Sequence, residues 1–414
     1  MEARESFVKK HVKLLAMAFA LSPLTVAAQS TIEQKIDALQ QEVERLKQES
    51  RLRKEQAAPA AGADAGSATS IFGYGEFNYN RYRDSERTSK ADLRRFVIGF
   101  GHRFSDELSF QSELEIEHAI ASAADRGEVA MEQAYLNYRF SDAANVKGGL
   151  FLIPLGILNE THEPPTYYGV ERNEVETRII PTTWRELGFG LHGLVGQGFK
   201  YDAGITTGFN SGKLDDPSTG IRSGHQEGQL ADAKDLSVYG ALNYQAPGLL
   251  VGGGLFTGNT GQNGQANSAL KGVAARLTLW DVHAKYSIAG FDLQALYAAG
   301  TLGDADKVNA VTSTAATPFA APKSLKGWYG QAAYHVYRRG DLDVAPFVRL
   351  ERFDIRQQED AALGLFQDPK NLERVQTIGV NFKVHPQVVL KTDIQHYKVD
   401  STRNRFNIGL GYMF

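Results

Sequence analysis

From Ile71 to the end of the chain, apolar and polar residues alternate with a period of two. The last nine residues show this most plainly. Phe406, Ile408, Leu410, Tyr412 and Phe414 share one parity, and Asn407, Gly409, Gly411 and Met413 the other. Successive side chains of a β-strand point to opposite faces, so this segment reads as a strand with one apolar side and one small or polar side. Phe96, Ile98, Phe100, His102 and Phe104 oppose Arg95, Val97, Gly99, Gly101 and Arg103 in the same way. Leu108, Phe110, Leu114 and Ile116 oppose Gln111, Glu113, Glu115 and Glu117. Runs near 187–192, 201–209, 236–246, 271–287, 289–301, 326–338, 342–354, 373–384 and 387–399 behave alike. Gly, Asn, Asp and Pro punctuate them, and no helical period competes. They amount to about sixteen strands, mostly of about ten to thirteen residues, close to the length a tilted strand needs to cross a bilayer.

The first seventy residues have a different texture. Arg4, Lys9, Lys10 and Lys13 precede a short apolar run, Leu14 to Leu24, and the small-residue site Val26-Ala27-Ala28. This predicts a cleaved secretory signal over 1–28, because the run is too short to span a membrane. Ile32, Ile36, Leu39, Val43 and Leu46 then follow at spacings of 4, 3, 4 and 3, an a/d seam that fails at Ser50 and Arg53. Residues 29–56 therefore read as a short periplasmic coiled-coil helix or a solvated amphipathic helix. β-branched a positions favour two strands, but the seam is too short to settle the number of copies. Residues 57–70 are rich in Ala, Gly and Ser and read as a flexible linker.

Composition narrows the alternatives. The chain has 414 residues, 41 Gly, 17 Tyr, 22 Phe and no Cys, so disulfides and thiolate metal sites are absent. Its mean hydropathy is −0.32, and no run of about 18 apolar residues lies beyond the first thirty, which excludes helical spans but not a barrel. The formal charge is −3, or −5 once the signal is removed; such a chain is no nucleic-acid binder. Mid-strand charges such as Glu113, Glu115, Glu117, Arg349 and Lys391 do not suit the dry interior of a soluble sandwich. Tyr and Phe cluster near strand ends, and tight connections (104–107, 385–386) alternate with long ones (210–235, 302–325). Together these predict an all-β fold, an antiparallel transmembrane β-barrel of about sixteen strands over 71–414, preceded by the short coiled-coil helix. Sixteen strands enclose water, whereas about eight fill with side chains.

One stretch breaks the alternation. Residues 157–186 run from Ile157 to Glu186 with three Pro, two Tyr and a Trp. Loops of this length are functional or disordered, and the aromatic content opposes disorder. Folded inward, this loop would narrow the channel. The segment Gly148-Gly149-Leu150-Phe151-Leu152-Ile153-Pro154-Leu155-Gly156, with Ile180-Pro181-Thr182-Thr183-Trp184-Arg185-Glu186-Leu187-Gly188, resembles the phosphate-selective porin O and P family. The strand Arg94-Arg95-Phe96-Val97-Ile98-Gly99-Phe100 and the N-terminal helix are similar too. The resemblance implies a sixteen-stranded outer-membrane porin, trimeric, whose third long loop lines the constriction.

Phosphate selection would need an excess of basic groups along the pore. Alternation assigns Arg95, Arg103, Arg139, Lys147, Lys200, Arg276, Arg349, Lys383 and Lys391 to the lumen. It assigns as many acids: Glu76, Glu113, Glu115, Glu117, Asp202, Asp292, Asp343, Glu351 and Asp393. The loop adds six Glu against Arg172, Arg178 and Arg185, with Glu171, Glu174 and Glu176 as expected counter-charges. A mixed-charge pore for small polar solutes and ions of either sign is therefore expected, as are outer-membrane lipid and a homotrimer as partners. No cofactor and no metal site is read. Two alternatives are an outer-membrane barrel enzyme, with His162 or His192 as base, and a structural tether reaching the cell-wall polymer through the helix. No Gly-x-Ser-x-Gly or His-Glu-x-x-His motif supports the enzyme.

Overall fold

A computed structural model describes residues 68–215, 219–265, 267–313 and 320–414. The expected signal, helix and most of the linker lie outside the described residues. The strands are β1 (Thr69–Tyr82), β2 (Lys90–Arg103), β3 (Leu108–Glu117), β4 (Val129–Ser141), β5 (Ala144–Leu152), β6 (Arg185–Val195), β7 (Phe199–Thr206), β8 (Ser237–Ala246) and β9 (Leu249–Gly258). They continue as β10 (Leu277–Ile288), β11 (Phe291–Leu302), β12 (Pro322–Tyr334), β13 (Tyr337–Arg339), β14 (Leu342–Gln357), β15 (Leu372–His385), β16 (Val388–Tyr397) and β17 (Arg405–Met413). β12 and β13 both pair with β14 and form one stave interrupted at His335 and Val336. The wall thus has sixteen antiparallel staves, and β1 closes it by pairing with both β2 and β17.

Connections sort by end. Seven are short (104–107, 142–143, 196–198, 247–248, 289–290, 340–341, 386–387) and share their end with the first and last strand termini. The eight at the other end are longer, up to 153–184 and 207–236. β1 starts at Thr69, inside the expected linker, and β10 starts at Leu277 rather than 271.

The outer face is apolar. Phe189 is 72% exposed and Ile378 66%. Around the short-turn end the outward side chains are aromatic, with Phe199 against Tyr244 and Phe291 against Tyr334, ring centroids 5.0 and 4.6 Å apart. An apolar band with an aromatic rim is the surface of a barrel embedded in lipid.

The interior differs from one side to the other. Phe151, Ile153, Leu155, Val175, Ile179, Ile180 and Trp184 join inward Leu277, Leu279, Leu296, Ala298, Leu325, Phe353 and Ile355 in one buried cluster. Here the alternation deceives, because Leu277 and Leu279 face inward beside outward Trp280 and Val282. Arg276 has the outward parity of this strand and is exposed, so its expected lumen position is incorrect.

Candidate functional site

The loop leaves the wall after Leu152 and rejoins it at Arg185. It is therefore 153–184 rather than 157–186, and Arg185 and Glu186 belong to β6. It enters the barrel because its own polar groups find partners there. The Gly156 N–H donates to Asp281 on β10, and those of Ile157 and Leu158 to Glu176 within the loop. The Val170 N–H donates to Asp393 (2.7 Å) and the Glu174 N–H to Glu351 (2.6 Å). Lys391 donates to the Gly169 carbonyl at 3.0 Å and stands over the Tyr167 ring. Buried backbone groups need such partners.

Small residues make room for it. A Cβ at Gly411 would lie 2.3 Å from Pro164 Cβ, and one at Gly409 would lie 3.0 Å from Val170 Cγ1. The glycines on the lumen side of the last strand are thus the bed on which the loop rests. Across the barrel, Tyr168 donates to Asp292 (2.6 Å) and packs on Phe347.

These contacts divide the expected lumen charges into two sets. The buried side chains of Arg349, Glu351, Lys391 and Asp393 hold the loop rather than line water. Arg95 is shared between Glu76 and Glu115 at 2.8 and 3.4 Å, and Lys147 is paired with Asp202. Arg103 and Arg139 keep the inward parity but lie exposed beside short turns, far along the wall from the loop, and Arg139 pairs with Asp142. Neither belongs to the constriction. Glu176 does not face an arginine either. It is 0% exposed and accepts from Asn173 and Tyr329 as well as the two backbone N–H groups. Glu186 accepts from the Trp184 indole and Thr207. His192 is tied to Asn137, and His162 to Tyr74 and the Asn159 carbonyl.

Between the loop and the wall formed by β1, β2 and β17, an opening of about 1010 Å³ runs from the long-loop end down to Glu76 and Tyr167. Basic side chains there are Lys90, Arg94, Arg95, Arg126, Arg172, Arg178, Arg222, Arg403 and Arg405; acidic ones are Glu76, Asp92, Glu117, Asp125, Glu171 and Glu174. Nine against six leaves three positive charges in excess. Glu174 is consumed by Arg178 and Arg403, each at 2.6 Å, and by the Tyr397 hydroxyl. Burial alone would raise its carboxyl, but Arg403 and Arg178 hold it well below the usual range. Glu171 accepts from Asn80 (3.0 Å); burial opposes its charge, and Arg405 and Arg94 keep it ionised. Arg222 donates to the Thr182 carbonyl (2.7 Å), and Arg185 pairs with Glu227 at 3.3 Å. Arg172 is half-buried, and its Nε and Nη2 are buried with no hydrogen-bond partner among the described residues. Loop cations were legible in the sequence. Arg94, Arg222, Arg403 and Arg405 were not: Arg94 is the extra residue of a bulge in β2 opposite Glu76 and Phe77, and the others stand at a strand end or in other long loops, where alternation gives no side.

Residues 71–340 match the model of the phosphate-selective porin O and P family. A protein of Aquifex aeolicus (strain VF5), described only as uncharacterised, is 33% identical over 358 residues, covering 83% of this chain and 80% of its own. Two solved porins share the fold. OmpF of Salmonella typhi, solved in complex with daunomycin, superposes with a TM-score of 0.54 at 15% identity, over 84% of this chain and 98% of its own. The anion-selective porin of Comamonas acidovorans gives 0.53 at 12%, over 84% and 99%. The sixteen-stave barrel agrees with that match, and the chain belongs to the phosphate-selective porin O and P family of outer-membrane porins.

Proposed function

We propose that this porin passes small polar solutes and ions through the opening between the loop and the β1–β2–β17 wall, with a preference for anions. The carrying observation is the excess of basic side chains along that opening. Alternation counts acids and bases as equal. Folding spends acids such as Glu176, Glu186, Glu351 and Asp393 on structure, and leaves more arginine than carboxylate facing water. A charged mouth raises the local concentration of counter-ions and biases passage without tight binding.

Arg172, Arg178, Glu171 and Glu174 of the loop and Arg185 at the start of β6 are the charges proposed to act at or beside the constriction, with Arg95 beneath them. Glu176 acts by holding the loop. Contact of the apolar band with outer-membrane lipid, export by a cleaved signal and assembly as a homotrimer belong to the same proposal, the last supported by the family resemblance. Tethering to the cell-wall polymer would fall to the N-terminal helix. The reversal potential of the purified protein in a planar bilayer under a salt gradient tests the ion preference. An anion-selective sign is expected; a cation-selective sign would refute it.

A further inference from the structure

Three buried side chains meet where the loop passes β3 and β4. The register between these strands shifts at Glu113/Leu114, opposite Gln133 and Met131, so Glu132 is an extra, bulged residue. A bulge re-aims a side chain. Here it sets the fully buried Glu132 carboxylate beside that of buried Glu113, and buried His162 of the loop faces both. One donor atom from each of the three lies within 4.8 Å of the other two. Donors sharing one ion at about 2.0–2.2 Å lie no more than about 4.4 Å apart, so a small closure of the three would let them share one.

The hydrogen bonds around the cluster fix its protons, and its charges point to a cation. His162 Nδ1 lies 3.0 Å from the Asn159 carbonyl, and Nε2 is turned toward the Tyr74 hydroxyl (2.7 Å) and Glu132 Oε2 (3.5 Å). Because the Tyr74 proton goes to Glu132, Nε2 is the donor to the Tyr74 oxygen; an ion at Nε2 would replace that proton, while Nδ1–H stays on the Asn159 carbonyl. Tyr74 and Thr183 donate to the two oxygens of Glu132 at 2.7 and 3.1 Å, and each oxygen keeps a second lone pair. The charges also fail to balance locally. Two buried carboxylates face a single imidazole, while the nearby guanidinium of Arg95 is already shared by Glu76 and Glu115. Buried charge of one sign needs a counter-charge.

We infer that Glu113, Glu132 and His162 bind one divalent transition-metal ion that staples the loop to the wall. Two carboxylates and one imidazole suit zinc or manganese better than calcium or a thiolate-seeking metal. The ion joins two wall strands to a loop residue, so the loop would be held at its base by coordination as well as hydrogen bonds.

The test uses the full-length protein, folded in detergent and stripped with chelator, then dialysed against Zn²⁺ or Mn²⁺. Elemental analysis is expected to give about one ion per chain, with X-ray absorption showing nitrogen and oxygen donors at about 2.0–2.2 Å. Glu113→Gln and His162→Gln should each weaken binding at least about tenfold, with folding verified by the heat-dependent mobility of the barrel on gels. No ion above the buffer blank in the wild-type protein, or equal binding by both variants, would overturn the inference and leave protons to balance the cluster. Neither readout involves transport, so the outcome is separate from that of the anion preference.

Discussion

Arg178 and Arg185 have carboxylate partners, whereas Arg172 has none within hydrogen-bond reach among the described residues. Their roles should therefore separate. Removing a unit charge about 8 Å from a passing ion changes its energy by about 0.5 kcal/mol in water, roughly twofold in occupancy. Arg172→Ala is expected to lower the anion-to-cation permeability ratio by about that factor while leaving thermal stability nearly unchanged; an unaltered ratio would remove Arg172 from the pore. Glu174 is the opposite case. Its depressed pKa means that the stability it contributes is present above its unfolded pKa, about 4.3, and is lost as pH falls through the lower folded value. The loop should loosen only in strongly acid solution. In a background with Trp280→Phe and Trp328→Phe, fluorescence of the buried Trp184 should change there, and Glu174→Gln should abolish that acid transition. At this scale the sequence showed which residues face inward far better than which of them meet water. Glu132 shows a second gap. Counted from Tyr135 and Asn137 it falls on the lipid side, and the bulge returns it to the interior; a mid-strand Glu at a lipid position was the available signal.

The loop is ordered because the wall completes its hydrogen bonding. Glu176 serves four donors from inside it: the Ile157 and Leu158 N–H groups, the Asn173 amide and the Tyr329 hydroxyl. Glu176→Ala leaves several buried donors unsatisfied, each at about 1–3 kcal/mol. Protection from hydrogen exchange over 155–180 is expected to fall sharply while the strands stay protected. Gly411→Val places a branched side chain where Pro164 sits and should displace the loop in the same assay. The aromatic and proline content announced an ordered loop, but its ends were off by a few residues. Ile153 to Gly156 continue the apolar texture of β5 and look like strand until the Asp281 contact is seen.

Over the whole molecule, alternation, strand length and the two classes of connection were sufficient for a sixteen-stave barrel, because each is a direct demand of lipid on backbone and side chains. What they could not show is that one side of the lumen is dry. Leu277, Leu279, Leu296 and Ala298 face inward against the loop, on strands whose outward residues are also apolar, so the pattern carries no sign there. Ions and solutes must then pass along the β1–β2–β17 side. The chain has no Cys, so single cysteines can report on this directly. Asn80→Cys and Thr177→Cys line the opening, and Ala298→Cys lies in the filled half. Single-channel current should drop on adding a bulky charged thiol reagent to the first two proteins and remain unchanged with the third. Block at position 298 with none at 80 or 177 would contradict the account.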